Sequence, residues 1–397
     1  MARRGSDTHA FRVTTAAAPT DALAVAAAIR EARASKTALR IVGGRTWLDA
    51  GRPVREESTL PLAALRGVTQ YEPGDFTLTA RAGTSLGEIS RIVAREGQWL
   101  TLQPHGSLDG TIGATIATAS WGPLASAYGT PRDHLLGCEV VTGVGEIVRA
   151  GGRVVKNVAG FDLPRLMTGA WGTLGAITEV TLRLRARPEV DRTLAVTLEG
   201  LDDRACDDAG RWLRTTPYRP LAAELCSADM SAHIGLERRT LLLVRLGGNE
   251  ALVRAAERAV AELGTVTIVD GAVWDRLRTA EPSGAAVIRL ATLPAALGAL
   301  FERATRRIAG IGGASHATIA RGVVRCIVPA AHTREEIERL RGIMKDLHAP
   351  GSRIAERLPD PLWDELPSAV GDRLSRDVRR TFDPDRVLNP GILDNTA

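Results

Sequence analysis

Cysteine is scarce in this chain and scattered. Cys138, Cys206, Cys226 and Cys326 stand far apart with no Cys-x-x-Cys pair. Neighbouring thiols that hold zinc or an iron–sulfur cluster are therefore missing, and reduced, buried, structural cysteines are expected. Long apolar runs are missing as well. No stretch approaches the roughly 18 apolar residues of a membrane-spanning helix, and the opening MARRGSDTHAFRVTTAAAP has two arginines with no apolar run behind them, so the chain reads as cytoplasmic. Aromatic residues make up only 4%, which leaves few platforms for stacking bases. The 51 basic residues are interleaved with 46 acidic ones, as in REEIERLRGIMKD, and no nucleic-acid face is expected. Two nucleotide fingerprints are also absent: there is no Gly-x-Gly-x-x-Gly between a strand and a helix, and no Gly-Lys-Ser/Thr.

What is present is a soluble composition, 44% apolar and 24% charged, over 397 residues. That exceeds what one core usually holds, and two domains are expected. Residues 20–35 carry a capped helical pattern, ALRIVG (38–43) and TLTARAG (77–83) read as strands, and SLGEISRIVAREG (85–97) reads as a helix closed by Gly97. LLGCEVVTG (135–143) and AITEVTLRLRA (176–186) are further strands, the latter punctuated by Pro188. After residue 190 the order becomes β-α-β-β-α-β, the pattern of a ferredoxin-like sheet, and a second, less regular round follows it. The tail FDPDRVLNPGIL keeps Phe382, Val387, Leu388 and Ile392, and is expected to pack back onto the molecule.

Glycine is plentiful, and it clusters in IVGGRT (41–46), QPHGSLDGTIGATIATASWGP (103–123) and GAWGTLGAITEV (169–180). Main-chain N–H groups of such loops can converge on a phosphate without any lysine. In this order the segments resemble the FAD-binding domain of the vanillyl-alcohol oxidase type, the PCMH-type flavoproteins. GGRVVKNVAGFDLPRLMTGAWGTLGAITEVTLRL (151–184) and GPLASAYGTPRDHLLG resemble the FAD-binding subunits of bacterial glycolate oxidases.

The resemblance implies an α+β fold. An FAD-binding domain in two subdomains would span 1–187, a ferredoxin-like second domain 190–360, and a tail 361–397 would return to the first. It implies a flavin-dependent oxidation of a 2-hydroxy acid, glycolate above all, beside a second flavoprotein subunit and an iron–sulfur subunit, with membrane contact only through those partners. A stand-alone oxidase of sugars or lactones and a non-catalytic electron-relay subunit are the alternatives. Gly43, Gly44, Arg45 and Thr46 would lie along the FAD pyrophosphate, with Arg45 standing where family members often carry a third glycine. That loop has no histidine to tether the cofactor, which implies noncovalent FAD. Gly106, Thr111, Ile112, Gly113, Ala117, Thr118, Ser120 and Gly122 would wall the flavin, while Gly172 and Ile177 would reach the adenine end.

Catalytic residues are less defined. Lys156 would stabilise reduced flavin or bridge its loop to Asp162; His316, and likewise His105, are candidate bases that read equally as packed histidines. No metal set arises from His233, His316, His332 and His348, and no carboxylate clamp stands out in the sequence.

Overall fold

The computed structural model describes residues 18–56, 58–152, 162–198, 203–347 and 351–394, without the side chains of 203–207. The helix Ala22–Ser35 starts where the Asp21 carboxylate takes the Ala24 N–H, and it buries Val25, Ala26, Ile29 and Ala32. The strand Leu39–Val42 follows and pairs in parallel with Ser58–Pro61. A five-stranded antiparallel sheet runs Val68–Glu72, Thr77–Arg81, Ala176–Arg183, Leu135–Val141, Ile147–Gly151. The segment expected as one strand over 176–186 is divided: Arg185–Ala186 leaves the sheet to pair with Gln98–Trp99.

The stretch GTIGATIATASWGP holds a helix, Ile112–Thr118. Its β-branched residues favour a strand locally, but tertiary contacts decide otherwise. The N–H groups of Ile112 and Gly113 are taken by the carbonyls of Thr84 and Ala82, at 2.9 and 2.8 Å, and Ile112 and Ile116, one turn apart, are both fully buried.

The second half builds one eight-stranded sheet in the order Gly264–Val269, Val190–Leu198, Leu241–Gly248, Ala222–Cys226, Ala314–Thr318, Val323–Val328, Ala286–Ala291, Arg353–Arg357. Each set of four has the strand order of a ferredoxin-like unit, and the two units join where Ala222–Cys226 pairs with Ala314–Thr318. One apolar core gathers residues of this sheet with those of the helices Glu250–Val260, Leu297–Ala309 and Arg334–Asp346. The opposite face carries a smaller core around Val273, Trp274 and Leu277. It also carries a polar row.

The tail closes against the first half. Leu388 bridges Leu39, and the Asp383 carboxylate takes the N–H groups of Val387 and Leu388 at 3.1 and 2.9 Å. Cys138, Cys226 and Cys326 are free and buried; the side chain of Cys206 lies outside the described residues. Among those residues no helix is long and apolar enough to cross a membrane.

Candidate active site

A groove enclosing about 840 Å³, part of it open to solvent, runs along the first half. Its lining includes Gly43, Gly44, Arg45, Thr46, Thr111, Gly113, Ala117, Thr118, Gly172 and Ile177, so three segments far apart in sequence meet there. Among the described residues no carbonyl takes the N–H of Gly43, Gly44, Arg45 or Thr46. Arg45 adopts φ 61°, a left-handed conformation, of the kind that turns successive N–H groups toward one point. The lining therefore fits FAD: free main-chain donors suit the pyrophosphate, and apolar walls from Ile41, Val42 and Ile177 suit the rings.

Four residues assigned to the cofactor from sequence do not line this groove. The Ile112 side chain is in the core. Gly106, at φ 95°, works as a latch instead: its N–H donates to the Arg278 carbonyl at 2.7 Å, and its own carbonyl accepts from the Arg278 guanidinium at 2.7 Å. Gly122 lets two chain segments cross, since a Cβ there would stand 2.2 Å from the Gln103 carbonyl oxygen. Ser120 lines a side pocket shared with Trp47, His105, Thr111 and Thr118.

Gly113, which lines the groove, also has a packing reason. A Cβ on it would meet Ala82 Cβ at 2.6 Å, so the glycine serves the contact between helix and strand. Gly43 likewise leaves room for Thr111, whose Oγ1 would be 2.5 Å from an added Cβ. Asn389, missed in the sequence, ties the groove's floor together. It accepts the Ile41 N–H at 2.7 Å and donates to the Trp171 carbonyl at 2.7 Å. Lys156 lies outside the described residues.

The side pocket leads from the groove to His105. Beyond it lies a small pocket between the two halves, lined by His105, Trp121, Arg289, His316, Thr318, Val323 and Arg325. The register explains the assembly. His316 faces Arg325 and Arg325 faces Arg289 on successive strands, so the three share one face of the sheet. Glu224 faces Thr318 on that same face. Arg278, from the same half as this sheet, donates to the Pro104 carbonyl of the other half at 3.1 Å as well as to that of Gly106, and so fixes His105 between them. The rings of His105 and His316 lie 5.2 Å apart.

The charges in this pocket are unequal. Arg325 is held by Glu281 at 2.7 Å and Glu356 at 2.5 Å; burial opposes its charge, but these carboxylates more than offset that and raise its pKa. Burial pulls Arg289 below the ordinary guanidinium range, with Glu356 acting against the fall and Arg325 adding to it. Arg289 is also ion-paired, its Nε lying 2.8 Å from Glu356 Oε1, and it stacks over Trp121 at 5.7 Å. His105 is pushed well below its usual value, first by burial and then by Arg325, His316, Arg278 and Arg289. His316 is 1% exposed; its Nδ1 lies 2.7 Å from Glu224 Oε2, and its Nε2 has no partner. No carboxylate lines the pocket. Its chemistry suits a small anion that also offers a hydrogen-bond donor.

Among the described residues no group of three or more His, Cys, Asp or Glu is arranged to hold a metal. The arginines carried the missed signal: Arg289 in AAVIRLA and Arg325 in GVVRCIVPA are single charges within apolar strands, a pattern that demands buried partners.

Comparison with known proteins agrees with this geometry. Residues 14–151 match the family model described as "FAD binding domain". Glycolate oxidase subunit GlcE of Escherichia coli (strain K12) is 34% identical over 252 residues, 63% of this chain and 66% of the relative. D-2-hydroxyglutarate dehydrogenase of Xanthomonas citri pv. viticola is 34% identical over 179 residues, 45% of this chain and 38% of the relative. The chain thus spans less than two thirds of each of these relatives. The structure of p-cresol methylhydroxylase with substrate bound aligns at a TM-score of 0.72 and 16% identity, covering 96% of this chain and 89% of that one, a likeness of fold. The glycine-lined groove, the match over residues 14–151 and the shared fold together show an FAD-binding domain of the PCMH type in this chain.

Proposed function

We propose that this chain oxidises a small 2-hydroxy acid, glycolate in the first instance, to the 2-oxo acid, as one subunit of an oxidoreductase complex with FAD held noncovalently. One observation carries the reading: the groove leads to a buried pocket lined by two guanidinium and two imidazole groups and by no carboxylate. Relatives whose names state glycolate oxidase and D-2-hydroxyglutarate dehydrogenase support the substrate class.

FAD, when bound, supplies the two-electron acceptor that the side chains lack. The chain does the rest. Main-chain N–H groups of residues 43–46 hold the pyrophosphate, and Asn389 keeps the floor of the groove rigid. Arg289, paired at Nε with Glu356, binds the substrate carboxylate through its other nitrogens, while Arg325, paired with Glu281 and Glu356, fixes the field around it. His316 Nε2 receives the hydroxyl proton. Trp121, held between Arg289 and Arg321 at 5.7 and 5.3 Å, limits the length of the acid. A second flavoprotein subunit and an iron–sulfur subunit carry the electrons onward, in keeping with the word "subunit" in the relative's name and the scattered thiols of this chain.

Dye-linked turnover of the purified chain with glycolate, lactate, 2-hydroxyglutarate, sugars and lactones tests the reading. Glycolate and lactate are expected to turn over, to lose at least tenfold in kcat/KM with Arg289→Met, and to gain rate when the partner subunits are added. Turnover confined to sugars or lactones, or none of any substrate with FAD bound, contradicts it.

A further inference from the structure

Behind the pocket between the halves lies a feature that the proposed reaction alone does not explain: the carboxylate of Glu224, fully buried on the strand Ala222–Cys226. Its two oxygens are both engaged. Oε1 accepts from the Thr318 hydroxyl at 2.7 Å, and Oε2 lies 2.7 Å from His316 Nδ1. The register makes this arrangement obligatory, since Glu224 faces Thr318 and His316 sits two residues earlier on the same strand and the same face. His316 Nε2 points away from this pair with no partner in the protein, and His316 lines the anion pocket beside Arg289.

We propose that Glu224 is a positioning residue that holds His316 in the Nδ1–H form, so that Nε2 presents a lone pair to the hydroxyl of a bound 2-hydroxy carboxylate. The physical argument is one of donors and acceptors. An ionised carboxylate only accepts, so the hydrogen in the short contact belongs to Nδ1, and a neutral imidazole then has an acceptor at its other nitrogen. A ligand anchored at Arg289 by its carboxylate meets an acceptor across the pocket. The pocket therefore distinguishes a 2-hydroxy acid from the same acid without the hydroxyl, before any oxidation occurs. This inference rests on the reading of the pocket as a small-carboxylate site.

The test uses two acids with one carbon skeleton, 2-hydroxyisobutyrate and isobutyrate. The first has no hydrogen on its carbinol carbon and cannot be oxidised there. Calorimetric titration of the FAD-loaded protein is expected to show 2-hydroxyisobutyrate binding about fivefold to tenfold tighter, the size of one net hydrogen bond. Glu224→Gln and His316→Phe are both expected to bring the two affinities together while leaving isobutyrate within about twofold of wild type. Nitrogen NMR of ¹⁵N-histidine-labelled protein gives the second readout, with Nδ1 of His316 protonated and Nε2 not. If neither acid binds wild type, the pocket is not a carboxylate site and the underlying reading fails. If both bind equally, or if NMR finds Nε2 protonated, the pocket stands and the lone-pair assignment is overturned. If Glu224→Gln keeps both the preference and the tautomer, Glu224 does not position the ring; should that variant not fold, His316→Phe and the wild-type NMR decide the assignment.

Discussion

Gly113→Ala separates two explanations of a glycine at the cofactor groove. The added Cβ would stand 2.6 Å from Ala82 Cβ and 3.0 Å from the Ala82 carbonyl oxygen, well inside ordinary contact. Relief requires the helix Ile112–Thr118 to move by roughly 1 Å, at an overpacking cost of about 1–3 kcal/mol. The same movement strains the 2.8 Å hydrogen bond from Gly113 N–H to Ala82, and a buried group left unpaired costs about 1–3 kcal/mol more. Alanine returns about 1 kcal/mol through its helix propensity. The net loss, centred near ~3 kcal/mol, corresponds to a fall in Tm of roughly 6–12 °C for a domain of this size. The assay is thermal unfolding of the flavin-free protein, which isolates packing from cofactor binding. FAD titration then shows weakened retention, because Thr111 and Gly113 both line the groove. An unchanged flavin-free Tm with flavin lost would mean that the glycine faces the cofactor itself. Unchanged Tm and unchanged affinity would refute the packing argument altogether.

Arg45→Gly is expected to leave urea stability unchanged or raise it by up to about 1 kcal/mol, because the left-handed conformation costs arginine about 1–2 kcal/mol and glycine's entropy takes back about half; a clear loss would contradict this. Arg325→Met leaves Glu281 and Glu356 buried with fewer cations and is expected to cost about 3–5 kcal/mol at pH 7. Its pH dependence has a definite sign. Burial alone would raise the Glu356 pKa, but Arg325 and Arg289 hold it below the carboxylate range, so in wild type this stabilisation is present above about pH 4.3 and is lost as pH falls through the depressed value. Without Arg325 that acid-side loss is expected to shrink or reverse, as urea titrations at pH 4 and pH 7 would show. His105 has a folded pKa well below its usual one, so the unfolded chain binds its proton first and stability falls as pH drops below about 6.5. His105→Gln is expected to flatten unfolding free energy between about pH 6.5 and pH 5, and an unaltered slope would count against a neutral His105.

The fold was largely readable from the chain because its signals are local and repeated. The β-α-β-β-α-β order after residue 190 follows from alternating periodicities, and the glycine clusters mark the segments that meet at the groove. The helix at Ile112–Thr118 was hidden, since its cause is the pair of carbonyls at Ala82 and Thr84, thirty residues back. The interdomain pocket was hidden for a related reason. Arg289, His316 and Arg325 become neighbours only through strand register, and His105 joins them only because Arg278 clamps the chain on either side of it. Gly106 and Gly122 look like cofactor glycines in the sequence, yet Gly106 is tied to Arg278 by two hydrogen bonds and Gly122 sits at a close chain crossing, neither of which a pattern of neighbours reveals.

The most direct measurement is an anaerobic titration of the purified FAD-loaded chain with glycolate, followed at the flavin absorption band, with glycolate binding measured in parallel by calorimetry. The groove and the pocket beyond it require the flavin of this chain to be bleached by bound glycolate, and Arg289→Met to prevent both binding and bleaching. Glycolate that binds at Arg289 while the flavin stays oxidised would contradict oxidation in this pocket.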